Sequence, residues 1–548
     1  MNILGLHFGH DAAVCVLRSG EVAAYVMRER HARIKHAISL ECKTIQAAMD
    51  EAQLRWDQID YCAITSTQNV ELIIDEPSGF SLNLEAHPGH HAPCTMARLL
   101  KAQNIDPARL LVHSLMQIFY DPRFANSFHY RCYGHAFPEH RTRRPQDFAC
   151  FGTFDHFIDS PEWPGETLGQ IAVSDYSAFL TTDAVRQGFH YPVTVQLAGH
   201  VVPGYFIAHH AAHAASGFYQ SGFDHAAILT HDGYLDGVGY LTGMYFWGDG
   251  HRIYPLTPHH LAVGGFYEEV GIRLGMGDVG PSGKLMGLAG YGQPAFFDPR
   301  FIGNHFDWKQ AGTDADAWIE HCLGLAREKG YDLEPLGDPS RACAPINVDI
   351  AASTQKVFEE TYLAATATLA RIVERMGLRT DKLCLSGGCA LNCPSNTRIF
   401  REGPFREVFV EPGCDDSGLA IGAAGWLFHN VLDHPLPSRT PGTHTNPYRG
   451  VRISGPAIIA ALHGASEVVE FTPCTDAARL AAEDLASDRV IGWFEGRSEV
   501  GPRALGHRSI LSDPRPAANW ARVNALKGRE IWRPFAPAVL KSEAEMWF

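Results

Sequence analysis

His209 and His213 stand four residues apart in His209-His210-Ala211-Ala212-His213. At helical pitch, residues i and i+4 share a face, so both imidazoles can reach one metal ion. The chain carries 29 histidines, so chance alone produces such pairs. A second pair, His87 and His91, spans Pro88-Gly89, which opposes a helix. His209 and His213 sit instead among alanines, good helix formers, after a strand-like Tyr205 to Ala208. Carboxylates are at hand to complete a site. Asp232 ends an apolar run in His231-Asp232-Gly233, and Asp415-Asp416 lie just before an apolar helix. Two imidazoles and two carboxylates form a hard, oxygen-rich site that favours Fe(II), Mn(II) or Mg(II) over structural zinc. One of the paired aspartates can equally cap the following helix.

Anion sites come next. Ser386-Gly387-Gly388-Cys389-Ala390-Leu391-Asn392 places two glycines between a strand and a helix, where backbone can approach a phosphate closely. Ser282-Gly283-Lys284-Leu285-Met286-Gly287 sets a lysine among glycines, although the spacing is not that of a P-loop. The sharpest stretch runs from Arg497 through Glu499, Gly501-Pro502-Arg503 and Gly506 to Arg508-Ser509. Three arginines separated by glycine and proline cannot form a plain solvated helix face. Guanidinium forks on a rigid loop suit phosphate or carbamoyl oxygens. Residues 497–533, which include Lys527 and Arg533, hold eight Lys/Arg against three Asp/Glu, in a chain whose net charge is -15.

The elements that must hold these groups read as α/β. Asn2 to Phe8 and Ala12 to Leu17 form strands around His10-Asp11, and Ser19-Gly20 turns the chain into a third strand, Glu21 to Met27. Ala226 to Thr230, His231-Asp232-Gly233 and Val238 to Trp247 repeat that pattern. The repeat is weak, but duplicated nucleotide-clamping domains place a carboxylate at the first turn of each half. A helix over 353–375 capped by Ser353, a buried strand at Leu383 to Leu385, a short strand at Val408 to Val410 and a helix from Leu419 to Val431 follow. The proline-rich segment Asp433 to Gly450 is the best linker, and beyond it lie a helix near 476–487 and a strand from Val490 to Phe494. Residues 118–157 hold 11 aromatics and a basic knot, Arg141, Arg143 and Arg144. They read as an inserted subdomain with its own core, or as a lid over an acceptor pocket.

Composition bounds the function. Hydrophobic residues make up 45% of 548, enough for a packed core, and no apolar run approaches the roughly 20 residues of a membrane span. The absence of a basic leader points to a cytoplasmic protein, and the odd count of 13 scattered cysteines suits reduced thiols. An acidic total argues against general nucleic-acid binding.

Arg497 to Ser509, followed by Trp532-Arg533-Pro534-Phe535-Ala536-Pro537, resembles the signature of the NodU/CmcH family of O-carbamoyltransferases. Further segments match in order. They are His10-Asp11, Glu29-Arg30-His31 to Lys35-His36, the double-histidine helix, Gly283 to Ala289, Ser386 to Asn392, and Cys414 to Gly418. The resemblance implies a duplicated actin/Hsp70-like (ASKHA) ATPase domain over 1–432, interrupted by the aromatic insertion at about 115–200. A smaller α/β YrdC-like domain over 450–548 follows. It also implies an ATP-dependent reaction. Carbamoyl phosphate and ATP give carbamoyl adenylate in the second domain, and the first domain passes the carbamoyl group to a hydroxyl of a small biosynthetic acceptor.

In that scheme His209, His213, Asp232 and Asp416 hold Fe(II) or Mn(II), and Mg(II) accompanies ATP. His10 is the base near the transferred group, with Lys35, Arg497 and Arg503 as further catalytic residues. Asp11, Lys284, Ser386, Gly387, Gly388, Asn392, Arg508, Ser509, Lys527 and Arg533 contact substrate or nucleotide. The expected partners are carbamoyl phosphate and the acceptor, with neither nucleic acid nor membrane, and a homodimer is admitted. A threonylcarbamoyl transferase acting on tRNA and a non-catalytic nucleotide- and metal-binding scaffold are the competing readings. Family members are expected to continue beyond Met546-Trp547-Phe548 with a short tail.

Overall fold

Alternating and continuous apolar runs near the start of the chain form three strands, β1 (Asn2–His7), β2 (Ala13–Arg18) and β3 (Glu21–Met27). They pair antiparallel in sequence order. Ser19 and Gly20 turn between β2 and β3 with φ of 50° and 87°, the positive values a tight hairpin requires. β4 (Tyr61–Thr65) then lies parallel to β1. After β5 (Phe80–Asn83) and β6 (His190–Leu197), β7 (His200–Ile207) lies parallel to β4. The full order is β3-β2-β1-β4-β7-β6-β5. In this computed structural model, residues 1–37, 40–65, 80–83, 190–197, 199–232, 243–259, 261, 263–277, 280–302, 311–375, 377–378, 381–437 and 446–547 are described.

The second sheet repeats the plan. β8 (His225–His231), β9 (Gly243–Asp249) and β10 (Arg252–His259) are antiparallel. β11 (Lys382–Ser386) runs parallel to β8, and β12 (Glu407–Val410) parallel to β11. The order β10-β9-β8-β11-β12 matches β3-β2-β1-β4-β7 position for position. This is the duplicated actin/Hsp70-like α/β arrangement. The two His-Asp turns of the sequence follow the first strand of each half.

Among the described residues β5 and β6 have no counterpart in the second sheet, and they extend the first beyond β7. The expected insertion ending near 200 therefore closes with strand His190–Leu197, which belongs to the sheet. The aromatic segment 118–157 and its basic knot lie outside the described residues. A second expectation shifts as well, because the long helix spans Pro345–Arg375 and Ser353 lies inside it. The Ser353 hydroxyl donates to the Asp349 carbonyl one turn back and accepts from Phe296 N, so it is a mid-helix serine rather than a cap.

Two helices lie between the sheets and carry the site. His209–Ser221 is buried along its whole length, as is Leu419–Trp426. Leu419–Trp426 is apolar on every face and must be packed on every face, whereas His209–Ser221 buries three histidines among its small residues. Small residues allow it: a Cβ on Gly422 would lie 1.8 Å from the Ala212 carbonyl oxygen, and one on Gly5 of β1 would lie 2.2 Å from that of Ala420. Any side chain at these glycines drives the helices apart.

The C-terminal part is a smaller α/β unit. β13 (Tyr448–Arg452) and β15 (Arg497–Glu499) form one antiparallel pair, and β14 (Ile491–Phe494) and β16 (Arg508–Leu511) form another. It leans on both halves, with Val500 joining the core of the first sheet and Trp532 that of the second. Among the described residues the cysteines are free thiols, and no helix is long and apolar enough to cross a membrane.

Candidate functional site

The helix His209–Ser221 starts directly after β7, so His209 and His213 lie one turn apart, edge to face, with ring centroids 4.5 Å apart. Their Nε2 atoms lie 2.9 and 3.1 Å from the same oxygen, Asp232 Oδ2, just past β8. Asp416 arrives from the loop before the second buried helix, its Oδ1 3.3 Å from His213 Nε2 and 3.9 Å from His209 Nε2. One donor atom from each of the four side chains falls within 4.8 Å of the other three. Neighbours fix the orientation of these donors. Ser386 Oγ is 3.4 Å from His213 Nδ1, and Gly388 N–H donates to Asp232 Oδ1 at 3.0 Å. Asp415 takes the capping role, accepting from Ser417 N at 3.2 Å. The paired aspartates thus divide the two functions between them.

The electrostatics follow from burial and pairing. Burial works against charge on His213, yet hydrogen bonding to Asp232 and Asp416 raises it to about 9. Burial likewise opposes ionisation of Asp232, and the two imidazoles hold its carboxyl well below the usual range. A set of carboxylates and imidazoles that must neutralise one another in the dark of the core is a set that a divalent cation satisfies directly.

His10 leans on this cluster from the turn after β1, with Nε2 3.3 Å from Asp416 Oδ2 and Nδ1 2.9 Å from Asp11 Oδ2. Burial opposes its charge, but Asp416 and Asp11 raise it well above the ordinary histidine range. The Asp11 carboxylate is also opposed by burial and is held far down by His36 and His10. His36 Nδ1 lies 3.1 and 3.2 Å from its two oxygens. Neither His36 nor the buried His7, whose Nε2 is 3.9 Å from Asp416 Oδ2, stood among the expected site residues. No spacing rule marks them. His36 closes the family-matching segment that starts at Glu29 but has no expected role there, and His7 is found only when the first turn of the sheet is built.

The glycine turn after β11 is tied to this centre. Gly387 has φ 92°, and a Cβ there would meet the His231 carbonyl oxygen at 2.3 Å. Asn392 caps the helix Cys393–Glu402 through Ser395 N and exchanges amide hydrogen bonds with Gln355 at 2.9 and 3.1 Å. Lys284, on the helix Pro281–Ala289, reaches the Met276 carbonyl at 2.8 Å and Glu530 at 3.1 Å.

The arginine loop is shaped by Glu499. This buried carboxylate accepts from the backbone N–H groups of Leu505, His507 and Arg508 and faces the Arg508 Nε at 3.5 Å. Arg497 pairs with Glu51 at 2.5 Å, Arg503 is exposed, and Ser509 sits in β16 opposite Trp493. Burial and then the like charge of Arg30 lower Arg508, whereas burial, Arg529, Lys35 and Arg533 lower Lys527. Cations of the Arg30 to Lys35 segment and of the C-terminal part therefore crowd one another. Arg533 is balanced in part by Glu530 at 3.6 Å. The two parts also touch directly, Arg30 Nη2 donating to the Gly501 carbonyl at 3.0 Å.

Comparison with known proteins matches the same two regions. A family described as carbamoyltransferase N-terminus matches residues 198–425, and one described as carbamoyltransferase C-terminus matches residues 482–548. An uncharacterized Synechocystis protein is 37% identical over 63% of this chain and 57% of its own length. Nodulation protein NolNO of Sinorhizobium fredii is 36% identical over 63% of this chain and 48% of its own. The 3'-hydroxymethylcephem-O-carbamoyltransferase of Streptomyces clavuligerus is 32% identical over 47% and 43%. The chain spans about half the length of the curated relatives it matches. With both halves of the family in one chain, and the histidine-aspartate centre inside the first, this protein belongs to the carbamoyltransferase family.

Proposed function

We propose that the protein is an ATP-dependent O-carbamoyltransferase. Carbamoyl phosphate, ATP and one water give carbamoyl adenylate, phosphate and pyrophosphate. A hydroxyl of a small biosynthetic acceptor then attacks the carbamoyl carbon, the bond to AMP breaks, and His10 Nε2, in the neutral ring that a cation on the four ligands would favour by offsetting Asp416, takes the hydroxyl proton. The observation that carries this reading is the placement of His10 against the four-ligand cluster, with its second nitrogen held by a buried carboxylate.

His209, His213, Asp232 and Asp416 would hold the metal, and their two nitrogen and two oxygen donors fit Fe(II) or Mn(II). When bound, such an ion supplies Lewis acidity toward the carbamoyl oxygen. Arg497, Arg503, Arg508, Ser509, Lys527 and Arg533 would bind the carbamoyl phosphate and ATP of the first step, aided by Lys35 from across the junction. In the first domain, taken as 1–432, Lys284 and the turn Ser386 to Asn392 would face the nucleotide, with Mg(II) on its phosphates. The domain taken as 450–548 forms the adenylate. We place the enzyme in the cytoplasm, in natural-product or antibiotic biosynthesis.

The test is incubation with carbamoyl phosphate and labelled ATP. AMP formation that requires carbamoyl phosphate is expected, and ATP left intact under these conditions would sink the reading. H10Q should spare adenylate formation and lower transfer by about 10²–10⁴-fold. Loss of both steps together would remove His10 from its role.

A further inference from the structure

The loop that delivers Asp416 is braced from two sides. From inside, Gly387 N–H donates to the Cys414 carbonyl at 2.7 Å, and the buried Tyr25 hydroxyl donates to the Ser417 carbonyl at 2.6 Å. The two ends of the loop also touch. A Cβ on Gly418 would lie 2.1 Å from the Gly413 carbonyl oxygen and 2.7 Å from Ser216 Oγ, three residues past His213. From outside, the brace is the arginine loop of the C-terminal unit. Gly501 has φ 88°, and a Cβ there would meet the Pro412 carbonyl oxygen at 2.1 Å and Gly413 N at 3.0 Å. Val500 is 2% exposed, and its Cγ1 would lie 3.0 Å from a Cβ on Gly413. Both residues are fixed in turn, Val500 N donating to the Pro447 carbonyl at 2.8 Å and Arg30 Nη2 to that of Gly501 at 3.0 Å. The anion side of the same loop is shaped separately, by Glu499 through the backbone N–H groups of Leu505, His507 and Arg508.

We propose that Val500 and Gly501 are positioning residues for Asp416, so that the C-terminal unit completes the metal site of the first domain. The contacts form one chain. They run from Gly501 to Pro412 and Gly413, from Gly413 to Gly418 across the base of the loop, and from Gly418 to Ser216 on the histidine helix. Asp416 lies between the two glycines, so whatever moves Gly413 moves its carboxylate. Backbone packed this closely on backbone has no room for an added methyl group, and one side must shift. A shift at Pro412 displaces Asp416 relative to His209, His213 and Asp232, which other elements of the first domain hold. Val500 and Gly501 supply no ligand themselves and act through Asp416. This inference rests on the four side chains as metal ligands and is independent of the reaction assigned to them.

The test titrates the full chain with Mn(II) alone, the free ion being read from its paramagnetic resonance lines. G501A should weaken Mn(II) affinity by about 10–100-fold. G506A is the matched comparison. Gly506 also has a positive φ, 106°, in the same loop, but a Cβ there would meet nothing within 4 Å. G506A therefore strains the loop without pressing on Pro412, and should leave Mn(II) affinity unchanged. V500A adds no backbone strain and should weaken affinity by about 2–30-fold. It decides the question if G501A does not fold. Unchanged affinity in a folded G501A overturns the proposal, as does an equal loss in G501A and G506A. With G501A unfolded, a V500A whose thermal midpoint falls while its affinity holds overturns it too, leaving these residues a packing role. D416N keeps the two failures apart. Mn(II) bound equally by D416N and the unmodified protein, or by neither, rejects the ligand assignment and this proposal with it. Loss in D416N without loss in folded G501A rejects the positioning role alone.

Discussion

β1 and β8 hold equivalent places in the two sheets, and each ends on a buried histidine, His7 and His231. Burial lowers both imidazoles to about 4, and both turn Nε2 toward a backbone carbonyl, of His10 at 2.9 Å and of Leu261 at 2.6 Å. The aspartates that follow part company. Asp232 comes at once, and its carboxylate joins His209 and His213. In the first half Phe8, Gly9 and His10 intervene, so Asp11 meets an imidazole from its own turn and another from His36. Three extra residues convert a ligand position into the partner of a base. Duplication supplied two carboxylates near one cleft, and loop length decides what each one does.

Exchanging the two carboxylates for amides breaks this comparison most severely. D232N removes the oxygen on which both imidazoles converge, and should cut bound Fe(II) or Mn(II), read by elemental analysis after dialysis, to below about one tenth of the unmodified level. D11N, though one fold position away by symmetry, should keep its full metal content. Equal loss in both would mean that the two turns serve one function. A smaller effect sharpens the same contrast. Ser386 Oγ orients the His213 ring from Nδ1, so S386A should weaken metal affinity by about 10–100-fold in a chelator competition. An unchanged affinity would relegate that hydroxyl to packing.

The sequence was legible where local chemistry decides the outcome. The Ser19-Gly20 hairpin, the apolar β8 and β11 and the alanine-rich histidine helix all follow from turn residues and periodicity. The convergence of His209, His213, Asp232 and Asp416 also suited the expected ligand set, because the histidines share one helix face, Asp232 follows a strand and Asp416 precedes a helix. Other features were not legible. His36 reaches Asp11 only through two left-handed residues, a backbone choice that neither residue type announces. Ser353 looked like a cap because serine favours caps, but tertiary packing carried the helix back to Pro345. The glycines of Ser386-Gly387-Gly388 suggested close approach to a phosphate. The structure shows close approach to the His231 carbonyl and the Asp232 carboxylate, so one signal served two readings.

Titration separates Asp11 and Glu411 by sign. Asp11 is buried but paired with imidazoles that hold it ionised, so its share of stability is present above the usual carboxylate range and is lost on acidification. Glu411, just beyond β12, is 4% exposed, and burial together with nearby Asp415 raises it to about 8 despite hydrogen bonds from Gly413 and Ser216. Its native form is the neutral acid, whereas in the unfolded chain it ionises near 4.5. The contribution of Glu411 is therefore full below pH 4.5 and declines as pH rises toward 8, at up to about 1.4 kcal/mol per pH unit. Denaturant unfolding of the full chain between pH 5 and 8 should show E411Q losing less stability with rising pH than the unmodified protein, so that its relative stability improves across the range. Parallel curves would mean that Glu411 is already ionised in the native protein. The acid loop of the second half would then be paired as completely as the first turn is.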